Sequence, residues 1–202
     1  MSEKTMTPAH IFRVALLSQG VILLLGLLGL WLLTFELPLP RGSEVTWVFT
    51  GAVAGVATYA LAVFLTRLPG TLGASLRRLC VMLHPLFADF SWPKIAVVAA
   101  AAGICEELFF RVFLQSWLME TVSPLWGLFA ASVLFALLHF ASVLYFTVTL
   151  IMGLLLGWFY WSTGSMLGVI VWHGLYDLLA IGMLARYPHL LGIKPQNTLR
   201  AG

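Results

Sequence analysis

Six long apolar stretches separated by short polar connections dominate this chain of 202 residues. A helix needs about 20 mostly apolar residues to cross the hydrocarbon core of a bilayer. The chain is 61% hydrophobic and 9% charged, whereas a soluble domain carries about 25% charged residues. The sequence therefore predicts an all-α, polytopic transmembrane helix bundle. We expect residues 1–202 to form a single integral membrane domain, with spans at 11–35, 46–66, 95–118, 125–143, 145–161 and 166–184.

The segment between the second and third spans, residues 71–90, has a different pattern. Its large apolar residues recur at intervals of three and four, while Arg77 and Arg78 point elsewhere. This pattern is typical of an amphipathic helix on a membrane surface. We predict such a helix on the cytoplasmic side, its apolar face formed by Leu72, Leu76, Leu79, Leu83, Phe87 and Phe90.

Basic residues are distributed unevenly between the two sides of these spans. With the amino terminus inside, Arg41 is the one basic residue of the outside segments, and Arg111 lies within the third span. The positive-inside rule then predicts that both termini are cytoplasmic, in a plasma or inner membrane. The nine inside positions are Lys4, Arg13, Arg67, Arg77, Arg78, Lys94, Arg186, Lys194 and Arg200.

Three further features of the sequence concern its processing, its cysteines and its partners. The first apolar stretch is too long for a secretory signal and has no small-residue cleavage pattern after it, so we expect it to remain as a spanning helix. Cys80 and Cys105 have no metal-ligand spacing and are expected to be free thiols. No basic run resembles a nucleic-acid-binding patch, so we expect a lipid bilayer and no nucleic acid among the partners.

Six ionisable residues lie inside the predicted spans, away from the span end that holds Arg13. A charged side chain at mid-bilayer costs about 2.5–3.5 kcal/mol, so such residues persist where they face each other or water. At about 1.5 Å rise per residue, those of the third, fourth and sixth spans fall near the middle of the membrane. We therefore predict that they converge on one functional site. They are Glu106, Glu107, Arg111, His139, His173 and Asp177.

The spacing of these residues separates their roles. Glu107 and Arg111 are four residues apart, which favours an intrahelical ion pair. Glu106 is turned by about 100° from Glu107 on the helix, and is either free for chemistry or a second partner of Arg111. His173 and Asp177 are also four apart and share a face, where the carboxylate can orient the imidazole.

The available chemistry is a carboxylate with imidazoles. The sequence has no serine paired with a base in a recognisable motif, no pair of intramembrane aspartates and no zinc-binding His-Glu-x-x-His. A carboxylate and imidazoles suit general-base activation of water and stabilisation of an oxyanion. Two other interpretations stay open: a metal-dependent hydrolase, because these residues also form a plausible ligand set, and a non-enzymatic immunity or partner-binding membrane protein. A transporter is disfavoured, because neither an inverted repeat nor a pair of broken helices is evident.

Three motifs, in order, resemble those of the CAAX protease and bacteriocin-processing family. Glu106-Glu107-Leu-Phe-Phe-Arg111 is similar to its Glu-Glu-x-x-x-Arg motif, and Phe135-Ala-Leu-Leu-His139 to its Phe-x-x-x-His motif. His173-Gly-Leu-Tyr-Asp177 is similar to its His-x-x-x-Asn/Asp motif. The set lies within a motif-bearing core of residues 95–184.

The resemblance implies a glutamate-type intramembrane endopeptidase without a cofactor or metal. Glu106 and His139 would activate water, His173 and Asp177 would stabilise the oxyanion, and Glu107 and Arg111 would support the site. The implied substrate is a membrane-anchored protein or hydrophobic peptide, as in CAAX, leader or C-terminal sorting-segment processing. The prenyl-protein proteases have Asn where this chain has Asp177, so Asp177 would be protonated or would hold His173 as a charged donor.

Overall fold

The computed structural model describes residues 7–193, which fold into a helical bundle with no strand in that range. Lys4, Lys194 and Arg200, three of the residues used above to predict orientation, lie outside it. The elements are α1 (Pro8–Leu32), α2 (Glu44–Arg67), α3 (Thr71–Phe87), α4 (Trp92–Glu107), a π-helix (Leu108–Gln115), α5 (Ser116–Thr121), α6 (Pro124–Leu138), α7 (Val143–Thr163), α8 (Met166–Arg186) and a final 3₁₀-helix (Pro188–Leu191).

These helices confirm the predicted all-α, polytopic bundle. Four of them, α1, α2, α7 and α8, are long and apolar enough to cross a membrane, and α6 is a shorter apolar helix of 15 residues. The third predicted span is continuous from α4 through the π-helix to α5. The predicted amphipathic helix is α3, whose Leu76, Leu79 and Leu83 are partly buried against the bundle.

Most helix starts follow from local sequence. Thr7, Ser123, Ser142 and Ser165 each accept a backbone N–H of the following turn through the side-chain oxygen, as expected of N-cap residues. Proline occupies the first turn of α1, α4 and α6, where its missing N–H costs nothing.

The boundary between the fourth and fifth spans differs from the prediction. Helix α6 ends at Leu138 rather than at residue 143, and His139 is its C-cap residue, with φ −97° and ψ 13°. The Ser142 cap then starts α7 at Val143, which makes the fifth span 21 residues long rather than 17. His139 therefore lies at a helix end and not within a helical span.

Helix α8 is packed between α2 and α4. Its backbone approaches α2 so closely that a Cβ atom on Gly51 would lie 2.1 Å from the carbonyl oxygen of Gly168. On the other side, a Cβ on Gly103 of α4 would lie 2.9 Å from the carbonyl oxygen of Ile170. These close approaches fix the depth and rotation of α8, which carries His173 and Asp177.

Candidate active site

The six predicted site residues do converge. Glu106 and Glu107 are the last two residues of α4, and Arg111 lies one turn further on, in the π-helix. His139 follows α6, whereas His173 and Asp177 lie on α8. Two spans and the end of a third helix therefore supply one cluster, and five pairs of oppositely charged or chargeable groups in it lie within 4.0 Å.

Glu106 is at the centre of this cluster and is 3% exposed. Its Oε2 lies 3.6 Å from Nε2 of His139 and 4.0 Å from Nε2 of His173. Both separations exceed a direct hydrogen bond, and at such distances a water molecule can bridge polar groups. The carboxylate and the two imidazoles thus face one another across a space of that size.

Glu107 has a different role from Glu106. Its Oε2 lies 3.3 Å from Nε of Arg111, and its Oε1 accepts a hydrogen bond from Nδ1 of His173 at 2.7 Å. Both Glu107 and Arg111 are fully buried, and the Arg111 guanidinium also lies 4.9 Å from the ring centroid of Phe135. The predicted intrahelical ion pair is confirmed, and Glu106 is not within ion-pair distance of Arg111.

The local structure of each imidazole fixes which nitrogen faces Glu106. Nδ1 of His139 donates to the backbone carbonyl of Phe135 at 2.8 Å, so Nε2 is the nitrogen turned towards the carboxylate. This orientation is possible because His139 is the C-cap residue of α6, so that its ring reaches the carbonyl of Phe135 in the last turn of that helix. In His173, Nδ1 donates a hydrogen bond to Glu107, so Nε2 is again the nitrogen turned towards Glu106.

Asp177 lies one turn after His173 on the same face of α8, as the spacing predicted. Its Oδ2 is 3.6 Å from Nε2 of His173, and 25% of its side chain is exposed. This distance is too long for a direct hydrogen bond. Asp177 therefore lies beside the ring without holding it in place, whereas Glu107 does hold it.

A π-helix follows the two glutamates. The wider turn covers Leu108–Gln115, and within it Arg111 accepts a hydrogen bond on its carbonyl from the hydroxyl of Ser116 at 3.1 Å. Gln115 is fully buried and donates to the carbonyl of Gly157 on α7 at 2.9 Å. Such segments occur frequently at functional sites, and this one joins the helix with the glutamates to α7.

A cavity of about 390 Å³ opens onto the cluster. Glu106, His139, His173 and Asp177 contribute its polar wall, and the rest is mainly apolar side chains of α1, α2, α3, α7 and α8. The amphipathic helix α3 lines one side through residues such as Leu83 and Phe87. The carboxylate and imidazoles therefore lie at the wall of a largely apolar cavity.

Several polar residues of the cavity were not identified from the sequence, and Gln19 and Tyr59 are two of them. Gln19 on α1 donates from Nε2 to Oε1 of Glu106 at 2.5 Å, and the hydroxyl of Tyr59 on α2 is buried in the cavity wall without a partner among the described residues. Neither lies in a recognisable motif. The available signal was an amide or a phenol within an otherwise apolar span, where polar groups are costly.

The residues of this site do not form an evident metal centre. Among residues 7–193, no three His, Cys, Asp or Glu side chains are arranged to hold one ion.

The fold and this site define a polytopic helical membrane protein with a buried glutamate–histidine cluster. Residues 88–179 match the model of the family described as type II CAAX prenyl endopeptidase Rce1-like, which confirms the resemblance to the CAAX protease and bacteriocin-processing family. The matched segment contains all six site residues. No curated protein and no solved structure matches the chain.

Proposed function

We propose that this protein is a glutamate-type intramembrane endopeptidase in which Glu106 and His139 activate a water molecule. The observation that carries the proposal is that Oε2 of Glu106 and Nε2 of His139 face each other at 3.6 Å, on the wall of a largely apolar cavity of about 390 Å³. The Rce1-like match supports peptidase chemistry in general.

The first chemical step follows from the hydrogen bonds. A water between Glu106 and His139 donates one proton to the carboxylate while Nε2 of His139, its other nitrogen bonded to Phe135, accepts a hydrogen bond from it. The water oxygen attacks the peptide carbonyl, and the tetrahedral intermediate carries the negative charge on the former carbonyl oxygen. Glu106 then passes the proton to the leaving amine as the C–N bond breaks.

His173 is proposed to stabilise that oxyanion through Nε2. Because Nδ1 already donates to Glu107, Nε2 can donate as well when both ring nitrogens carry protons. Glu106, Glu107 and Asp177 surround the ring and stabilise this charged form. Donors fixed in advance, in a site sheltered from water, are worth more than donors in solution. This assigns Asp177 an electrostatic role, in place of direct donation by the Asn of the prenyl-protein proteases.

The substrate class follows from the cavity wall. Apolar side chains of α1, α2, α3 and α8 surround the polar groups, which suits a hydrophobic or membrane-anchored peptide segment. We propose processing of a CAAX-like, leader or C-terminal sorting segment in a plasma or inner membrane, by a single domain of residues 1–202 with both termini in the cytoplasm.

The test is cleavage by the full chain reconstituted in liposomes. Three internally quenched probes represent the candidate substrates: a farnesylated CAAX peptide, a hydrophobic leader peptide and a C-terminal sorting segment. We expect Glu106→Gln to lower the rate at least about 10²-fold, and the matched exposed carboxylate variant Glu36→Gln to cleave normally. Normal cleavage by a folded Glu106→Gln variant would refute the proposal.

Three further readouts separate the other interpretations and identify natural substrates. Activity that is lost in chelator and restored by one added metal would favour a metal-dependent hydrolase. Terminal mapping of membrane proteins from cells with the chain, without it, and with Glu106→Gln identifies natural substrates. A cellular phenotype that survives the double substitution Glu106→Gln, His139→Gln would instead favour a non-enzymatic partner-binding protein.

A further inference from the structure

Gln19 is placed on α1, outside the segment that matches the family model. Its Nε2 donates to Oε1 of Glu106 at 2.5 Å, across 87 residues of sequence. Glu106 accepts no other hydrogen bond from the described residues, since its Oε2 approaches only the two imidazoles at 3.6 and 4.0 Å. Gln19 is therefore the group that fixes which oxygen of Glu106 faces His139 and His173.

The orientation of the Gln19 amide follows from chemistry. An ionised carboxylate offers only acceptors, so the amide nitrogen and not the amide oxygen must face it. The Oε1 atom of Gln19 is then buried and accepts no hydrogen bond from the described residues, although Gln19 lines the cavity.

The packing of α1 holds Gln19 in this position. Gln19 and Gly26 are seven residues apart and lie within roughly 20° of the same helix face. At Gly26, α1 approaches the π-helix so closely that a Cβ atom would lie 3.2 Å from Cα of Phe109. At Gly29, a Cβ would lie 2.3 Å from the ring of Phe113. The side of α1 that carries Gln19 and Gly26 is thus pressed against the π-helix that directly continues the helix of Glu106.

We infer that Gln19 is a positioning residue for Glu106, and that the active site is completed by α1. The inference rests on the proposed endopeptidase function and adds a residue to its machinery. Gln19 holds one carboxylate oxygen, so that the other is presented to the water and to His139. A lost donor leaves the carboxylate free to rotate away from the water, and a displacement of about 1 Å can lower a rate about 10²-fold.

The first experiment measures kcat and KM of the full chain in liposomes, with whichever of the three peptide probes the wild-type chain cleaves. Gln19→Met keeps the length of the side chain and removes the donor. We expect kcat to fall about 10- to 100-fold with KM within about twofold, because substrate contacts are unchanged. Gln19→Asn keeps the amide on a side chain that is shorter by one methylene. Its kcat should lie between those of Gln19→Met and wild type.

The matched control is Ser18→Ala on the same helix. Ser18 is exposed, and its hydroxyl bonds only to the carbonyl of Ala15 among the described residues, so this variant should keep the wild-type kcat. A wild-type kcat in Gln19→Met would overturn the inference and leave the proposed function intact. A rise in KM alone would also overturn it, because it would make Gln19 a substrate contact.

A second experiment does not depend on cleavage. The thermal midpoints of wild type, Gln19→Met, Glu106→Ala and the double variant form a double-mutant cycle. We expect the midpoint to fall less when Gln19→Met is added to Glu106→Ala than when it is added to wild type, because the amide then has no partner to lose. Additive midpoints would overturn the inference. A wild-type chain that cleaves none of the probes would overturn the proposed function, and the catalytic role of Gln19 with it.

Discussion

His173 donates from Nδ1 to Oε1 of Glu107 at 2.7 Å, which ties α8 to α4 at the level of the site. The same carboxylate lies 3.3 Å from Arg111 through its other oxygen. Glu107 therefore holds the imidazole in place and balances the charge of a guanidinium that is fully buried. Among residues 7–193, the neighbouring Glu106 forms no ion pair with a lysine or an arginine and faces two imidazoles.

Removal of the Glu107 charge should destabilise the protein. In Glu107→Gln, Arg111 remains buried without an anion, and breaking one side of a buried ion pair costs about 3–5 kcal/mol. We expect a lower midpoint in thermal or denaturant unfolding in detergent. The double substitution Glu107→Gln, Arg111→Met removes the buried cation as well and should recover part of the loss. A double variant less stable than Glu107→Gln would contradict the assigned pair.

Substitution of His139 should affect catalysis more than folding. His139 is partly exposed to the cavity, and its side chain makes one hydrogen bond to the protein within the described range, to the Phe135 carbonyl. In liposomes, His139→Gln should cleave the responsive probe about 10²-fold more slowly while its thermal midpoint stays near wild type. His10→Gln, on an exposed residue of α1, is the matched control. An equal loss of cleavage rate in His139→Gln and His10→Gln would argue against a catalytic role for His139.

The close approach of α2 and α8 predicts a strong effect of one methyl group. A Cβ on Gly51 would lie 2.1 Å from a backbone carbonyl of α8, whereas a Cβ on Gly20 would meet nothing within 4 Å. We expect Gly51→Ala to lower the thermal midpoint and the cleavage rate together, because α8 must shift. Gly20→Ala should be neutral or slightly stabilising, since Ala favours a helix by about 1 kcal/mol over Gly. Similar midpoints for the two variants would refute this packing.

The Cys80 thiol should react slowly with alkylating reagents at neutral pH. Cys80 lies on α3 and lines the cavity, and burial raises the pKa of its thiol above the ordinary value. The thiolate is the reactive form, so the alkylation rate should keep rising at pH values where an exposed thiol has already levelled off. The measurement is the rate with N-ethylmaleimide in a Cys105→Ser background. A cysteine introduced at the exposed Leu72, with Cys80 replaced by Ser, is the comparison.

Much of the architecture could be predicted because apolar length and charge placement are properties of single segments. All six expected spans contain helices, and the ion pair of Glu107 and Arg111 follows from a spacing of four. The end of α6 at Leu138 could not be predicted, since the cap at Ser142 competes with an apolar run that continues past it. The pairing of His173 with Glu107 depends on how α8 is rotated against α4, which no single-segment pattern determines. Gln19 was missed for the same reason.

The crossing of α2 and α8 extends the catalytic unit beyond the matched segment, because Gly51 lies outside residues 88–179. A chimera that joins that segment to amino-terminal helices from another protein would need an equally small residue opposite Gly168. With a larger one, α8 would be pushed outwards and the imidazole of His173 displaced with it, although every motif residue was still present.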